Sequence, residues 1–273
     1  MSKIFTKPHL PIYPGGEPVD FTEQSAGGAH NLALGIYTTE TTQRYIYGTR
    51  FITWDGRVYK YSNAVAVAYS YHGAFAFENA AVAWTAVPAA GVLPVGSRKA
   101  VVTLGDRTTD DLAGGYLMTE DNSATTTTYL HGIVGNNDTA TVTTIYLDAP
   151  IPITTTESDH HEIFENPYRE TKAHAAGSCA IICVPAQTSQ AGYKYWGQTY
   201  GPAYISPSNN TLDDPGPSER QVFFTGEGVT GVLVEAALAT GSGQEQIAGF
   251  ILNADITSTH NIAGPLIMLK ISV

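Results

Sequence analysis

The sequence predicts a mainly β protein, with one or two small antiparallel barrel or sandwich bodies, an extended N-terminal arm and a β-hairpin. Charged residues make up only 14% of the 273 residues, against roughly 25% in an average domain. Thr, Ala, Gly and Tyr take their place, and short runs of β-forming residues recur between turn residues. A chain of this length holds one large β domain or two to three small ones.

The first 30 residues predict an extended arm. Pro8, Pro11, Pro14 and Pro18 remove backbone donors and fix φ, so a paired strand or a helix is not expected there. The arm still carries six large apolar side chains: Ile4, Phe5, Leu10, Ile12, Tyr13 and Phe21. We therefore expect the arm to dock on a neighbouring subunit or on a protein lattice, where burial offsets the entropy of ordering.

The clearest hairpin signal of the chain is Asp55-Gly56, flanked by β-forming residues. This dipeptide predicts a two-residue type I′ turn. Such a turn pairs Trp54 with Arg57 and Ile52 with Tyr59, which places all four side chains on one face. Arg57 is then expected to lie over the Trp54 ring as a cation–π pair.

Four segments follow from these patterns: the arm at 1–30, the hairpin with an Ala-rich connector at 31–90, and β bodies at 91–170 and 171–273. The first body contains the strand-like runs RKAVVTL, GGYLMTE, TTTTYLHGIVG and TATVTTIYLDAPI, and Glu157 to Arg169 is interpreted as a polar linker. The second body repeats the pattern with CAIICVPA, RQVFFTG, GVLVEAAL, EQIAGFIL and PLIMLKISV.

The stretch from Ala191 to Ile205 concentrates aromatic residues. It contains Tyr193, Tyr195, Trp196, Tyr200 and Tyr204. Alternation predicts a strand, and Gly201-Pro202 predicts a turn after which the chain returns. Two interpretations stay open: an aromatic corner of a β core, or an exposed platform on which sugars or nucleobases stack.

The formal net charge of −11 argues against several partners. Nucleic acids are bound largely through Lys and Arg that neutralise phosphates, and anionic lipids attract basic segments. The chain shows no apolar run of about 18 residues, and its first residues lack the apolar core of a signal peptide. We expect no nucleic-acid partner, no membrane and synthesis in the cytoplasm.

The two cysteines, Cys179 and Cys183, are predicted to be unlinked thiols. If SCAIICV is a strand, their Cα atoms lie about 13 Å apart on one face. A disulfide requires less than about 7 Å.

No pattern points to catalytic, cofactor-binding or metal-binding residues. The run Gly226 to Gly231 matches G-x-G-x-x-G, but the 42 residues after it (273 − 231) suggest strands rather than a βαβ unit, which favours a glycine-rich turn. The run Asp159 to Glu162 is interpreted as solvated, because adjacent histidines of a strand point to opposite faces. The acidic pairs Asp110-Asp111 and Asp213-Asp214 are interpreted as solvated turns. A carboxylate pair for glycoside hydrolysis leaves no spacing signature, so that activity stays open.

Several motifs resemble one known family. GYKYWGQTYGP, LGIYTTETTQRYIYGTRFITWDGRVYKYSNA, AVPAAGVLPVGSRKAVVTLG and IFENPYRET occur in the order seen in tailed-bacteriophage virion structural proteins of the capsid-decoration type. The resemblance runs from about Leu32 to Val273. It implies no catalytic residue.

The resemblance implies a non-enzymatic capsid decoration or cement protein on the outer surface of a phage head. Its expected partners are the major capsid protein and further copies of itself, in a homo-oligomer such as a trimer. Two other functions stay open: a tail-fibre or adhesin protein that binds host glycans through exposed tyrosines, and a glycan-cleaving enzyme.

Overall fold

The computed structural model describes thirteen stretches of the chain, which divide into two compact units. One unit contains residues 35–76 and 168–271, and the other contains residues 85–167. The described stretches are 35–53, 55–76, 85–86, 91–104, 107–121, 127–137, 141–156, 159–173, 180–206, 220–224, 233–235, 246–253 and 265–271.

The unit of residues 85–167 is a six-stranded antiparallel sheet, here called the six-stranded unit. Its strands lie in the order β4-β9-β6-β7-β8-β5. They are β4 (Thr85–Ala86), β5 (Lys99–Val102), β6 (Tyr116–Asp121), β7 (Thr127–Asn136), β8 (Thr143–Leu147) and β9 (His160–Phe164).

One face of this sheet forms the core of the unit. Because side chains alternate along a strand, β6, β7 and β9 turn Leu117, Ile133 and Ile163 to the same side, where all three are buried. Loop residues such as Leu93 and Leu112 close over them. Alternating sequence and short turns are therefore sufficient to explain this unit.

The other unit contains a ten-stranded sheet and is called the ten-stranded unit. A short 3₁₀ helix, Gly35–Tyr37, comes first. The strands are β1 (Arg50–Ile52), β2 (Val58–Asn63), β3 (Ala74–Ala76), β10 (Thr171–Lys172), β11 (Ile181–Pro185), β12 (Lys194–Tyr204), β13 (Gln221–Phe224), β14 (Leu233–Glu235), β15 (Gln246–Asn253) and β16 (Leu266–Lys270).

Strand β12 is the centre of the ten-stranded sheet. It pairs with β2 over its first part, with β11 at Gly197 and Gln198, and with β16 over its last part. Tyr200 lies opposite Val58 on one edge and opposite Lys270 on the other. The sequence grouped the hairpin at 31–90 apart from the body at 171–273, and the structure places both in this one sheet.

The predicted fold class is confirmed. All pairings between the named strands are antiparallel, and one sheet is curled into a half-barrel. The N-terminal arm lies outside the described residues. In the part of the chain that the structure describes, no helix has the length and apolar character needed to cross a membrane.

The predicted hairpin register is wrong by one residue. Ile52 lies opposite Val58, and Phe51 lies opposite Tyr59. The Thr53 amide donates to the Arg57 carbonyl at 2.9 Å, so the loop has three residues rather than two. Three-residue loops use a residue of positive φ before the returning strand, and Gly56 has φ +84°.

This slip moves Ile52 to the face opposite Tyr59, because side chains alternate. Arg57 lies 5.9 Å from the centre of the Tyr59 ring, and its Nε donates to the Asp55 carboxylate at 2.8 Å. Trp54 lies outside the described residues, so the predicted pair of Arg57 with Trp54 stays a prediction.

The turn predicted at Gly201-Pro202 is wrong. Strand β12 runs through both residues to Tyr204, and Pro202 lies opposite Met268. Gly201 has φ +97°, and the pairing with β2 shifts register between Gln198 and Tyr200. A glycine inside a strand commonly marks a bulge, so the dipeptide bends the strand without reversing it.

The polar linker predicted from Glu157 to Arg169 is also wrong, because it contains β9. His161 and Ile163 point into the core, while His160 and Glu162 are partly exposed. Buried and partly exposed residues alternate along β9, as in a half-buried strand. The first buried position is a histidine, so the sequence does not show the apolar alternation that would predict a strand.

Two glycines with positive φ test whether the fold requires close contact between the backbones of neighbouring strands. A Cβ at Gly249 would overlap the backbone oxygen of Met268 on the neighbouring strand, whereas a Cβ at Gly56 would meet nothing within 4 Å. We expect Gly249→Ala to lower the free energy of unfolding by about 3 kcal/mol or more. Gly56→Ala should cost about 1–2 kcal/mol, from its left-handed conformation alone. Urea unfolding measures both, and equal losses would contradict the predicted clash.

Candidate functional site

The aromatic stretch contributes to two clusters of the ten-stranded unit. Neighbouring residues on a strand point to opposite faces, so Tyr195 and Trp196 enter different clusters although both are buried. Trp196 packs with Tyr59 and Tyr61 of β2, and its ring centre lies 5.2 Å from that of Tyr61. Phe51 lies 5.8 Å from Trp196.

These rings are arranged for packing rather than for ligand stacking. The Tyr45 and Tyr61 rings meet edge to face at 5.1 Å and 89°, a geometry that aromatic quadrupoles favour. The Tyr61 hydroxyl donates to the Glu40 carboxylate at 2.9 Å. Burial raises the pKa of Tyr59 to about 12 and raises the pKa of Tyr61 as well. The interpretation as a buried aromatic corner therefore holds for Trp196.

The Tyr195 hydroxyl belongs to a hydrogen-bond chain on the opposite face. Thr171 donates its one hydroxyl proton to the Asn63 carbonyl at 2.8 Å. The Tyr195 hydroxyl, 2.7 Å from Thr171 Oγ1, must therefore be the donor in that contact. Tyr195 in turn lies 3.6 Å from the Cys183 sulfur, where its oxygen is free to accept the thiol proton. The chain links residues of β2, β10, β11 and β12.

Cys183 is a free thiol that is completely buried. Burial raises the pKa of its thiol to about 11, so the reactive thiolate is scarce at neutral pH. The prediction of an unlinked thiol is confirmed for Cys183, while Cys179 lies outside the described residues. This cysteine acts as a small apolar residue with a weak donor.

Two histidines lie in the core of the six-stranded unit, on either side of Thr119. His161 lies opposite Thr119 in the β6–β9 pairing, and His131 Nε2 lies 3.4 Å from the Thr119 hydroxyl. Nε2 of His161 shares a hydrogen bond with the Thr155 hydroxyl at 3.0 Å. Burial lowers the pKa of both histidines, although the Asp148 charge acts on His131 in the opposite direction.

The run Asp159 to Glu162 does not assemble a metal site. His160 Nε2 contacts the Glu162 carboxylate at 2.8 Å on one side of β9, while His161 points into the core. The interpretation as a solvated run is wrong for His161, although the prediction that the two histidines point apart is confirmed. Among the described residues, no group of three or more His, Cys, Asp or Glu side chains is arranged to hold a metal ion.

The acidic pair Asp110-Asp111 is part of a bonded loop. Asp110 is exposed at φ +61°. An Arg107 nitrogen lies 3.4 Å from the Asp111 carboxylate and 2.9 Å from the Glu165 carboxylate. The buried Asn136 side chain bonds backbone groups of the same loop. The solvated-turn interpretation describes Asp110, whereas Asp111 shares Arg107 with Glu165 in an ion pair.

The run Gly226 to Gly231 and the pair Asp213-Asp214 lie outside the described residues. The strands on either side of the glycine run, β13 and β14, pair antiparallel with Val222 opposite Glu235. A dinucleotide fingerprint requires parallel strands joined through a helix. The topology therefore contradicts a dinucleotide site at this run.

Comparisons with protein-family models, with curated proteins and with solved structures found no match to this chain.

Trp196 tests the packing role of the aromatic cluster. It is 5% exposed, whereas Tyr193 on the same stretch is 37% exposed. We expect Trp196→Ala to lower the free energy of unfolding by about 3–5 kcal/mol. The control, Tyr193→Ala, should cost less than about 1 kcal/mol. Chemical denaturation of both variants measures the difference. A Trp196→Ala protein as stable as the parent would show that the ring is not a packing element.

The buried histidines predict acid sensitivity. Because burial lowers the pKa of His131 and His161 below the ordinary value of about 6.5, the unfolded chain binds protons that the folded chain does not. Their contribution to stability is therefore complete above about pH 6.5 and is lost as pH falls through the lowered folded pKa values. Urea midpoints should drop as the pH falls below about 6.5.

The matched variant is His131→Gln with His161→Gln, which removes both titrating groups. Over the same pH interval it should lose less stability than the parent, whatever its stability at neutral pH. Equal losses in the two proteins would assign the acid sensitivity to other groups.

Proposed function

We propose that the protein is a non-enzymatic structural component of a tailed-phage virion, which binds the outer surface of the major capsid lattice as a homo-oligomer and cements it. One observation carries the proposal: the thiol, phenol and imidazole groups that could act in catalysis are packed inside the cores. Cys183, Tyr195, His131 and His161 are all buried, and each is hydrogen-bonded inside a core.

Two further observations support this function. The ordered motifs between Leu32 and Val273 resemble virion structural proteins, as described above. Both units are antiparallel sheets with buried apolar cores, and cross-strand hydrogen bonds join the strands of each sheet. A cement protein requires that kind of stable body.

An adhesin that binds host glycans is the second candidate. Tyr193 and Tyr204, at the two ends of the aromatic stretch, are 37% and 40% exposed. Exposed tyrosine rings supply an apolar surface with a polar edge, which suits contact with sugars. Trp196, the strongest stacking residue of the stretch, is instead buried.

Localisation on particles tests the proposal. Virions of a phage whose genome encodes the protein are labelled with an antibody to it and imaged by electron microscopy. Label spread over heads is the expected result. Label confined to tails would favour the adhesin, and particles without label would contradict both candidates.

The arm gives a second, quantitative test. We expect removal of residues 1–30 to weaken attachment to undecorated capsids by about tenfold or more, on the order of 1.4 kcal/mol. The melting temperature should stay close to that of the parent. Binding of intact and truncated protein to the same capsids, measured by cosedimentation, gives the ratio. Equal binding would assign the capsid contact to the β units alone.

A further inference from the structure

One face of the ten-stranded sheet is covered by apolar side chains that do not enter its core. Strands β12, β16, β15 and β13 are neighbours in that order. Ala203, Ile267, Ile251 and Val222 point inward and are buried in one cluster. The alternate positions point to the other side. These positions are Pro202, Tyr204, Leu266, Met268, Lys270, Ile247, Phe250, Leu252, Gln221 and Phe223, and together they are called the outer face.

The apolar positions of the outer face are contiguous across the strands. Met268 lies opposite Pro202 on one side and opposite Phe250 on the other. Tyr204 lies opposite Leu266 in the same pairing. The exposed fractions are 40% for Tyr204, 44% for Leu266, 50% for Ile247 and 37% for Leu252. The outer face is therefore an apolar surface in contact with water.

The distribution of charge on the outer face favours a second copy of the chain as its partner. The outer face contains no Asp or Glu, although the chain has 25 acidic and 14 basic residues. Its one charged residue, Lys270, lies 5.3 Å from the centre of the Phe250 ring. The outward side of the six-stranded sheet also exposes apolar residues, among them Tyr116 and Leu130. It differs from the outer face in its carboxylates, because its outward positions include Glu120 and Glu162. Two copies of an acidic protein repel each other least where both lack carboxylates.

The size of the outer face suits the centre of an interface. Four strands about 4.8 Å apart and about five residues long cover roughly 19 by 17 Å, or about 300 Å² in projection. That area is in the range of the largest apolar patch on a monomer, which is often functional. A stable pair buries about 800 Å² on each partner. The outer face thus has the size of the apolar centre of an interface, which in known interfaces is surrounded by a polar rim.

We propose that the outer face is the surface through which two copies of this chain associate, sheet against sheet. Sheets that pack face to face interdigitate their side chains at about 10 Å separation. A symmetric pair places the same patch on both partners. This inference rests on the homo-oligomer of the proposed function and deepens it by naming the surface through which copies meet. Association in solution is measured without capsids, so its outcome is separate from that of the localisation on virions.

A single charge on the outer face tests the proposal. Leu266→Glu places a carboxylate inside the proposed interface, where it is desolvated without a partner. The matched control is Leu130→Glu in β7, a residue that is 62% exposed on the outward side of the other sheet. Ile247→Glu, on a different strand of the outer face, provides an independent second variant. Sedimentation velocity over a concentration series gives the dissociation constant of the full chain and of each variant.

We expect the parent and Leu130→Glu to associate with constants that differ by about twofold or less. Leu266→Glu and Ile247→Glu should weaken association by about a hundredfold or more, with an unchanged circular dichroism spectrum. The proposal is overturned if the parent sediments as a single chain at about 100 µM. It is equally overturned if folded outer-face variants associate as tightly as the parent.

Discussion

The ten-stranded unit depends on the double pairing of β12. At Tyr200 the strand is bonded to β2 on one edge and to β16 on the other. Its two faces are used as well, since Tyr195 and Trp196 enter separate clusters. A strand with both edges paired and both faces packed loses more than one contact with any displacement. The hairpin β1–β2, strand β11 and the β15–β16 pair are all positioned by this element.

The sequence predicts where strands and turns lie better than it predicts which residues pair across the sheet. The strands β5 and β8 lie within the predicted strand-like runs, β6 and β7 extend one residue beyond theirs, and Gly56 has the positive φ that its place after Asp55 predicts. The register of the hairpin was wrong because Asp-Gly suits both two-residue and three-residue loops. The distinction rests on two hydrogen bonds: the Thr53 amide donates to the Arg57 carbonyl, and Arg57 Nε donates to the Asp55 carboxylate. These hydrogen bonds form only in the longer loop, and the residue types Asp and Gly do not determine the loop length.

Pairing between distant residues is the part that sequence patterns could not supply. Gly201-Pro202 predicts a turn when taken alone, but β16 lies beside it, and a strand bonded along its edge continues through a bulge. Similarly, a polar residue, His161, occupies a buried strand position, where its Nε2 is hydrogen-bonded to the Thr155 hydroxyl. In both cases a neighbour from another part of the chain changes the local preference. The unlinked state of Cys183, in contrast, agrees with the prediction from strand geometry, although the described strand β11 begins at Ile181 and Cys179 lies outside the described residues.

The two sheets differ in the carboxylates at their outward positions, and this difference bears on which sheet face can associate with another copy. Outward positions of the six-stranded unit mix exposed apolar residues such as Leu130 with the carboxylates Glu120 and Glu162. On the outer face, Leu266 and Ile247 leave apolar groups exposed with no carboxylate among them, in a chain of net charge −11. The core does not require these residues, since the inward positions already fill it. Their exposure costs solubility, and contact with a surface that also lacks carboxylates removes that cost.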